Sequence, residues 1–325
     1  MKLLVTGGAG YVGSIVARHL QAANHEVVVL DNLSRGHRAA VPEGAELVVV
    51  DLLERDALAA AIDGGFDAVL HFAALSLVGE SGAQPELYYR TNVGGTLNLL
   101  EAMRAVEIPR FVFSSTAAVY GQADEVPIPE SAPTVPTSTY GRSKLAVDGM
   151  IGDFCAAHGL GAVSLRYFNV AGASGGLGED HHPETHLIPN VLRAALGANP
   201  FVEVYGTDYE TPDGTAIRDY IHIDDLALAH VLALEAAEAE RHRIFNLGNG
   251  TGFSVREVIA AAGEVTGVEI PTREAPRRQG DPPRLVASSR LIRDELGWTP
   301  QKPGLEEMIG DAWEFARTHP DGYPA

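Results

Sequence analysis

Thr6-Gly7-Gly8-Ala9-Gly10-Tyr11-Val12-Gly13 is the stretch whose reading decides the fold. It follows a short apolar run, Leu3–Thr6, and opens a segment of helical periodicity over 11–23. Glycines at 7, 10 and 13 permit a tight turn, close approach of backbone to a pyrophosphate, and close packing of helix on strand. The free N–H groups at the helix start then face phosphate charge. Asp31 ends the second apolar run, roughly twenty residues on, where such turns place their acidic partner. A carboxylate there accepts ribose hydroxyls and repels a 2′-phosphate, which points to NAD rather than NADP.

Outward from this turn, Leu3–Thr6, Glu26–Leu30, Glu46–Val50, Ala68–Phe72 and Arg110–Ser114 read as strands. Most are apolar throughout, as parallel strands buried on both faces are. Helical stretches fall near 11–23, 54–62, 85–106 and 138–158, and the alternation predicts a Rossmann-type α/β fold, a doubly wound parallel sheet. The second half is less regular. A loop over 171–186 is rich in Gly, Asp, His and Pro, and helices follow near 187–197, 224–240, 254–266, 288–297 and 304–318. Short strands at Val202–Tyr205, Asp219–Ile221 and Arg243–Asn246 separate them. The reading is a dinucleotide-binding domain over 1–170 and a smaller α/β substrate domain over 171–325, with some later segments returning to the first sheet. The closing HPDGYPA reads as a surface tail.

The chain has 325 residues, enough for two packed domains, and 46% of them are hydrophobic, enough for a sizeable core without disulfides. Cys155 stands alone, so no disulfide framework exists; a buried thiol in a reducing, cytoplasmic setting is the simple reading. The net charge of -19 argues against nucleic-acid binding, which needs a basic footprint. The N-terminus is too short in apolar residues for a signal peptide, and no run approaches the roughly 20 residues of a membrane span.

Tyr140 and Lys144 lie four apart, which on a helix sets both on one face. A nearby ammonium favours phenolate, so the expectation is a depressed Tyr140 pKa and a phenol able to take a proton from a sugar hydroxyl. Thr116, just past the fifth strand, offers a hydroxyl to the reacting oxygen or stands as a plain turn residue. Asp51 at the end of the third strand has an adenine-side role, a helix N-cap role, or both. Small residues at Ala73 and Ala74 let a cofactor lie against the sheet edge, or simply begin a loop.

With these pieces in place the chain resembles the UDP-glucose 4-epimerase family of extended short-chain dehydrogenases/reductases. The matching blocks are TGGAGYVG at 6–13, DNLS at 31–34, HFAA at 71–74, VGES at 78–81, FSSTAAVYG at 113–121, YGRSK at 140–144 and LRYFNVAGA at 165–173. GTAIRDYIHIDDLA at 214–227, FNLGNG at 245–250 and the final HPDGYP extend the match over the whole chain. The resemblance implies tightly bound NAD and reversible exchange of UDP-glucose and UDP-galactose through a 4-keto sugar. Tyr140 is then the base, with Lys144 and Thr116 assisting. Residues implied around NAD are Gly7, Gly10, Tyr11, Val12, Gly13, Asp31, Asn32, Ser34, Asp51 and Leu52. The same side includes Phe72, Ala73, Ala74, Ser76, Asn92, Ser114, Tyr140, Lys144, Tyr167 and Phe168. On the substrate side the resemblance implies Thr116, Tyr140, Asn169, His186, Leu187, Tyr205, Arg218, Arg278, Asp281 and Leu285. A homodimer formed through 85–106 and 138–158 is implied as well.

Dehydratases and decarboxylating relatives share the first domain but carry an acidic residue after the Thr. This chain has Ala117 and Ala118, which cannot move a proton, and dehydration is disfavoured. Ser76 replaces a Lys common in the family and removes a charged contact to the cofactor. Arg218 and Arg278 match phosphate-binding arginines and can grip phosphate bidentately. His181, His182 and His186 beside Asp180 and Glu184 invite a metal reading. The resemblance gives this loop to substrate, and no metal is expected. Leu285 matches the position that gates N-acetylated sugars and is intermediate in bulk. Alternatives left open are epimerisation of UDP-glucuronate or UDP-N-acetylhexosamines, and a non-catalytic dinucleotide-binding regulator, against which the Tyr140–Lys144 pair counts.

Overall fold

A computed structural model describes residues 1–63, 65–278 and 280–324. Seven strands form its central sheet: β1 Lys2–Thr6, β2 Glu26–Asp31, β3 Glu46–Val49, β4 Ala68–His71, β5 Arg110–Thr116, β6 Gly161–Tyr167 and β7 His242–Leu247. Their order is β3-β2-β1-β4-β5-β6-β7, all parallel, with Leu3 opposite both Val27 and Ala68. The order reverses beside β1, and the crevice at the carboxyl ends of β1 and β4 is where ligands bind in such sheets. The expected Rossmann-type sheet is therefore present.

Alternate residues of β1 show why it lies at the centre. Leu3 and Val5 enter a core with Ile15, Leu20 and Leu234 on one face, while Leu4 joins Leu99, Phe111 and Ile151 on the other. Each such side chain contributes about 1.5–3 kcal/mol on full burial. Helix α1, Tyr11–Ala22, packs against α4, Ile223–Glu235, on the first face; α2, Thr139–His158, covers the second. Ser138 accepts a hydrogen bond from the Gly141 N–H at the start of α2, and Gly159 ends it in the left-handed conformation.

β6 does not appear among the strands read from the sequence. Ser164 and Arg166 interrupt its apolar run, but Arg166 is buried and its Nε and Nη2 donate to Asp148 Oδ2 of α2 at 3.1 and 2.9 Å. A paired guanidinium is thereby accommodated inside the sheet. The helix expected over 85–106 is composite: α-helical at Pro85–Tyr88, a π-helical turn at Tyr89–Gly94, and α-helical again at Gly95–Ala105. Such a turn aims a side chain at the cost of regular bonding, and here the side chain is Asn92.

Helices α3 Leu187–Ala195, α5 Val255–Thr266 and α6 Leu305–Thr318 enclose a separate core around Val191, Val258 and Met308. Short sheets pair Tyr220–His222 with Asn169–Ala171, Thr272–Ala275 with Val202–Tyr205, and Ile217–Arg218 with both Phe253–Ser254 and Arg284–Leu285. The C-terminus is not the surface tail expected. The Tyr323 N–H donates to Asp180 Oδ2 at 2.9 Å, the Tyr323 hydroxyl accepts from the Gly178 N–H at 2.9 Å, and the ring lies against Phe315 and His37. Tyrosine supplies both an apolar face and a polar tip, and so docks where a polar tail would not. Cys155 is buried, and among the described residues no helix is long and apolar enough to cross a membrane.

Candidate active site

The glycine turn is shaped by close approach. Gly7 adopts φ +72°, and a Cβ on it would stand 2.4 Å from the Ala73 nitrogen. A Cβ on Gly13 would stand 2.2 Å from the Gly7 oxygen. Any side chain at either place forces turn, helix and the 72–73 segment apart. No side chain caps the N-terminus of α1 and no acidic residue lies in its first turn, so its N–H groups remain available to an anion. Asp31 accepts from the Ala9 N–H at 3.1 Å and the Leu33 N–H at 2.8 Å. Burial holds its carboxyl above the usual carboxylate range against the pull of those two N–H groups. Asn32 donates to Asp51 at 2.9 Å, and Ser34 donates to Asn32. Asp51 also accepts from the Leu53 N–H at 2.8 Å, so the loops after β2 and β3 are tied together beside Leu52. This cradle fits a dinucleotide: a pyrophosphate at the helix start and ribose hydroxyls at Asp31.

Phe72 packs on His230, and Ser76 is exposed. Asn92 is buried and turned away from solvent: its Oδ1 accepts from the Leu75 N–H at 2.8 Å, and its Nδ2 donates to Leu75 O and to Ser143 Oγ. It fixes the loop after β4 against α2. Ser81 does similar work, its Oγ accepting from the Tyr140 N–H at 3.1 Å. Ser81, Ser143 and His71 stand in the motifs VGES, YGRSK and HFAA, but the motifs assign none of them a role. Hydroxyl side chains give no pattern by which a positioning role is read from sequence alone.

Lys144 is almost wholly buried and donates from Nζ to the Ser114 carbonyl at 2.8 Å, with Nζ 4.6 Å from the Phe113 ring centre. Burial drives its amine down to about 7, partly opposed by Asp148. The Ser114 hydroxyl meets the Tyr167 hydroxyl. His71, held between Thr6 and Thr96 at 2.6 and 2.8 Å, is pushed down to about 3 by burial and by Lys144, so it adds no second cation.

The Thr116 hydroxyl acts on the Tyr140 phenol to lower its pKa, but burial outweighs this and lifts the phenol to about 12. The depressed phenol expected from Lys144 is therefore not found in the ligand-free fold. An ammonium lowers a neighbouring pKa only to the extent that it stays charged, and here burial acts on both groups. Thr116 also accepts from the Ala118 N–H at 3.1 Å, which fixes its hydroxyl at the end of β5.

Among the residues expected on the substrate side, Arg218 pairs with Asp281 at 2.5 Å, and Arg278 lies over the Tyr205 ring at 4.1 Å. Leu285 stands opposite Arg218 in the strand register and, like Phe168, packs against the cluster of Val119, Tyr120 and Ile128. Asn169 donates from Nδ2 to the Asp219 carbonyl at 3.1 Å. His186 faces Glu179 through Nδ1 at 2.5 Å, and Leu187 begins α3.

A parallel sheet with a dinucleotide turn, and a Tyr–Lys pair reaching the end of β5, define a nicotinamide-dependent enzyme acting on a hydroxyl or carbonyl carbon. The model of the NAD dependent epimerase/dehydratase family matches residues 3–248, and the chain belongs to that family. A UDP-glucose 4-epimerase of Streptomyces lividans is 57% identical over 324 residues, covering 99% of this chain and 98% of its own. The UDP-glucose 4-epimerase of Brucella ovis, solved in complex with NAD, superposes with a TM-score of 0.92 at 45% identity, covering 96% of this chain and 97% of that one. That of Bifidobacterium longum, solved with NAD+ and UDP, gives a TM-score of 0.94 at 36% identity, covering 99% and 100%.

Proposed function

We propose that this chain is a UDP-glucose 4-epimerase that interconverts UDP-glucose and UDP-galactose. The observation that carries the reading is the hydroxyl pair of Tyr140 and Thr116 at the end of β5, followed by Ala117 and Ala118 where water elimination needs an acid. NAD, held by the glycine turn and Asp31, would supply a reversible hydride acceptor for C4 of the sugar, so the turnover has no net oxidation.

Tyr140 takes the proton of the 4-hydroxyl on its phenolic oxygen and returns it when the carbonyl is reduced. The Thr116 hydroxyl, at the end of β5, passes the proton over a short path. Lys144 holds the nicotinamide ribose and, when charged, stabilises phenolate. The N–H groups at the start of α1 and the Asp31 carboxylate hold the pyrophosphate and adenosine ends. Arg218 and Arg278 supply cations for the substrate diphosphate, Tyr205 a face for uracil, and Asp281 an acceptor for the uridine ribose. Asn169, His186 and Leu187 line the sugar and phosphate side. The division near residue 170 into cofactor and substrate parts belongs to the same proposal. So does a cytoplasmic homodimer through 85–106 and 138–158; Tyr89 and Leu97 are exposed on the first of these segments.

The test is a product-resolved assay on purified protein. UDP-galactose and UDP-glucose each yield the other, with no build-up of NADH absorbance. Stoichiometric NADH, or a product that has lost water, overturns the reading.

A further inference from the structure

The loop between Gly178 and α3 gathers Glu179, His181, Glu184 and His186, and one ligand-type atom from each lies within 4.8 Å of the other three. This set differs from the one the sequence suggests. Glu179 joins it, while Asp180 and His182 leave: Asp180 is taken up by the Tyr323 N–H and by His37, and the His182 ring is largely exposed.

Three features separate this group from a surface ion pair. The side chains of Glu179 and Glu184 are only 9% and 6% exposed, so two carboxylates are held out of water side by side. His181 and His186 both turn Nδ1 toward the same oxygen, Glu179 Oε1, at 3.0 and 2.5 Å. The His181 Nδ1 is buried and forms no hydrogen bond, despite that 3.0 Å approach. A buried imidazole nitrogen that stands close to a carboxylate oxygen but outside hydrogen-bond alignment keeps its bonding capacity unspent.

We propose that these four residues bind one divalent transition-metal ion, zinc or a chemically similar ion. Two imidazoles and two carboxylates are a donor set for such an ion. A divalent cation balances both carboxylates while the imidazoles stay neutral. Bonds of about 2.0–2.2 Å put tetrahedral ligand atoms about 3.4 Å apart, so binding draws the outermost pair inward. With four protein ligands the site is closed, and its role is structural. The loop it clasps is tied to both ends of the chain. Arg35 donates to the His182 carbonyl at 2.8 Å, the Tyr11 hydroxyl donates to the Gly172 carbonyl at 2.7 Å, and Tyr323 holds Gly178 and Asp180. The ion therefore stiffens a loop that these separate contacts hold against both ends of the chain.

Full-length protein without a histidine tag is treated with chelator, dialysed against zinc or cobalt(II), and freed of loose metal by gel filtration. Metal is then counted by mass spectrometry. The expected result is about one equivalent per chain, a four-coordinate visible spectrum for the cobalt form, and a higher melting midpoint with zinc than with chelator. The double variant His181→Ala/His186→Ala loses the equivalent and the spectrum, whereas His182→Ala keeps both. Zinc content below about a tenth of an equivalent in the folded wild type overturns the proposal, as does equal metal in the double variant. If the double variant does not fold, the wild-type count, the cobalt spectrum and Glu179→Gln decide between the same outcomes.

Discussion

Lys144 gives its Nζ proton to the Ser114 carbonyl at 2.8 Å inside a site from which water is excluded. The contact fixes the ammonium at the end of β5 without supplying a counter-charge, and burial brings the amine down to about 7. An unfolded chain keeps its lysine near 10.4. Between these values the unfolded state carries a proton that the folded state lacks, so stability rises with pH across the window. Below pH 7 Lys144 is protonated in both states and contributes no slope. Tyr140 acts in the opposite sense only above about pH 10, its unfolded value. Ligand-free wild type is therefore expected to gain stability relative to Lys144→Met from about pH 7 to about pH 9, read by urea unfolding at each pH. Parallel pH profiles would refute the buried amine.

Tyr140→Phe removes the phenolic oxygen assigned to hold the sugar proton. Turnover is expected to fall by about 10²–10⁴-fold, with NAD still bound after gel filtration. Thr116→Ala falls less and Thr116→Ser recovers. An unimpaired Tyr140→Phe enzyme removes Tyr140 from the role of base.

Asp31 receives two backbone N–H groups and leaves its carboxylate at the adenosine end of the cradle. Asp31→Ala is expected to weaken NAD binding by about 10–100-fold and to narrow the preference over NADP. Calorimetry with both dinucleotides measures it. An unchanged ratio between them contradicts the assignment.

Arg166 and Asp148 form a buried ion pair, their side chains 5% and 4% exposed. Asp148→Ala leaves a guanidinium in the sheet without its partner, and the expected loss is about 3–5 kcal/mol in denaturant unfolding. A loss below about 1 kcal/mol shows that the sheet relaxes to admit water.

Leu285 sits opposite Arg218 in the strand register and packs against the Val119, Tyr120 and Ile128 cluster. The wild type is expected to turn over UDP-N-acetylgalactosamine, and Leu285→Tyr to lose this by about 10–200-fold while retaining UDP-galactose. Competition assays with the two sugars give the ratio. A wild type inert toward the acetylated sugar ends the idea.

The glycine turn, Asp31 and the strands β1 to β5 were legible in the sequence because they depend on local pattern: a glycine spacing, an apolar run, a carboxylate at a strand end. β6 was not, because Arg166 becomes compatible with the interior only through Asp148, eighteen residues earlier. The docked terminus was hidden for the same reason, since Tyr323 finds Gly178 and Asp180 across 145 and 143 residues. Tyr140, Lys144 and Thr116 were singled out by spacing and motif. The upward pKa of Tyr140 was not legible, because a sequence gives neighbours along the chain, while pKa depends on how deeply a group is buried.

The last strand of the sheet has a consequence for biosynthesis. β7 comes from residues 242–247 and pairs only with β6, 161–167. While the ribosome is still adding the intervening chain, β6 presents an open hydrogen-bonding edge and uncovered apolar residues such as Val163 and Leu165. Nascent chains stalled or cut in that interval expose the β6 edge and its apolar residues together, a combination that the finished protein covers with β7 and that favours aggregation.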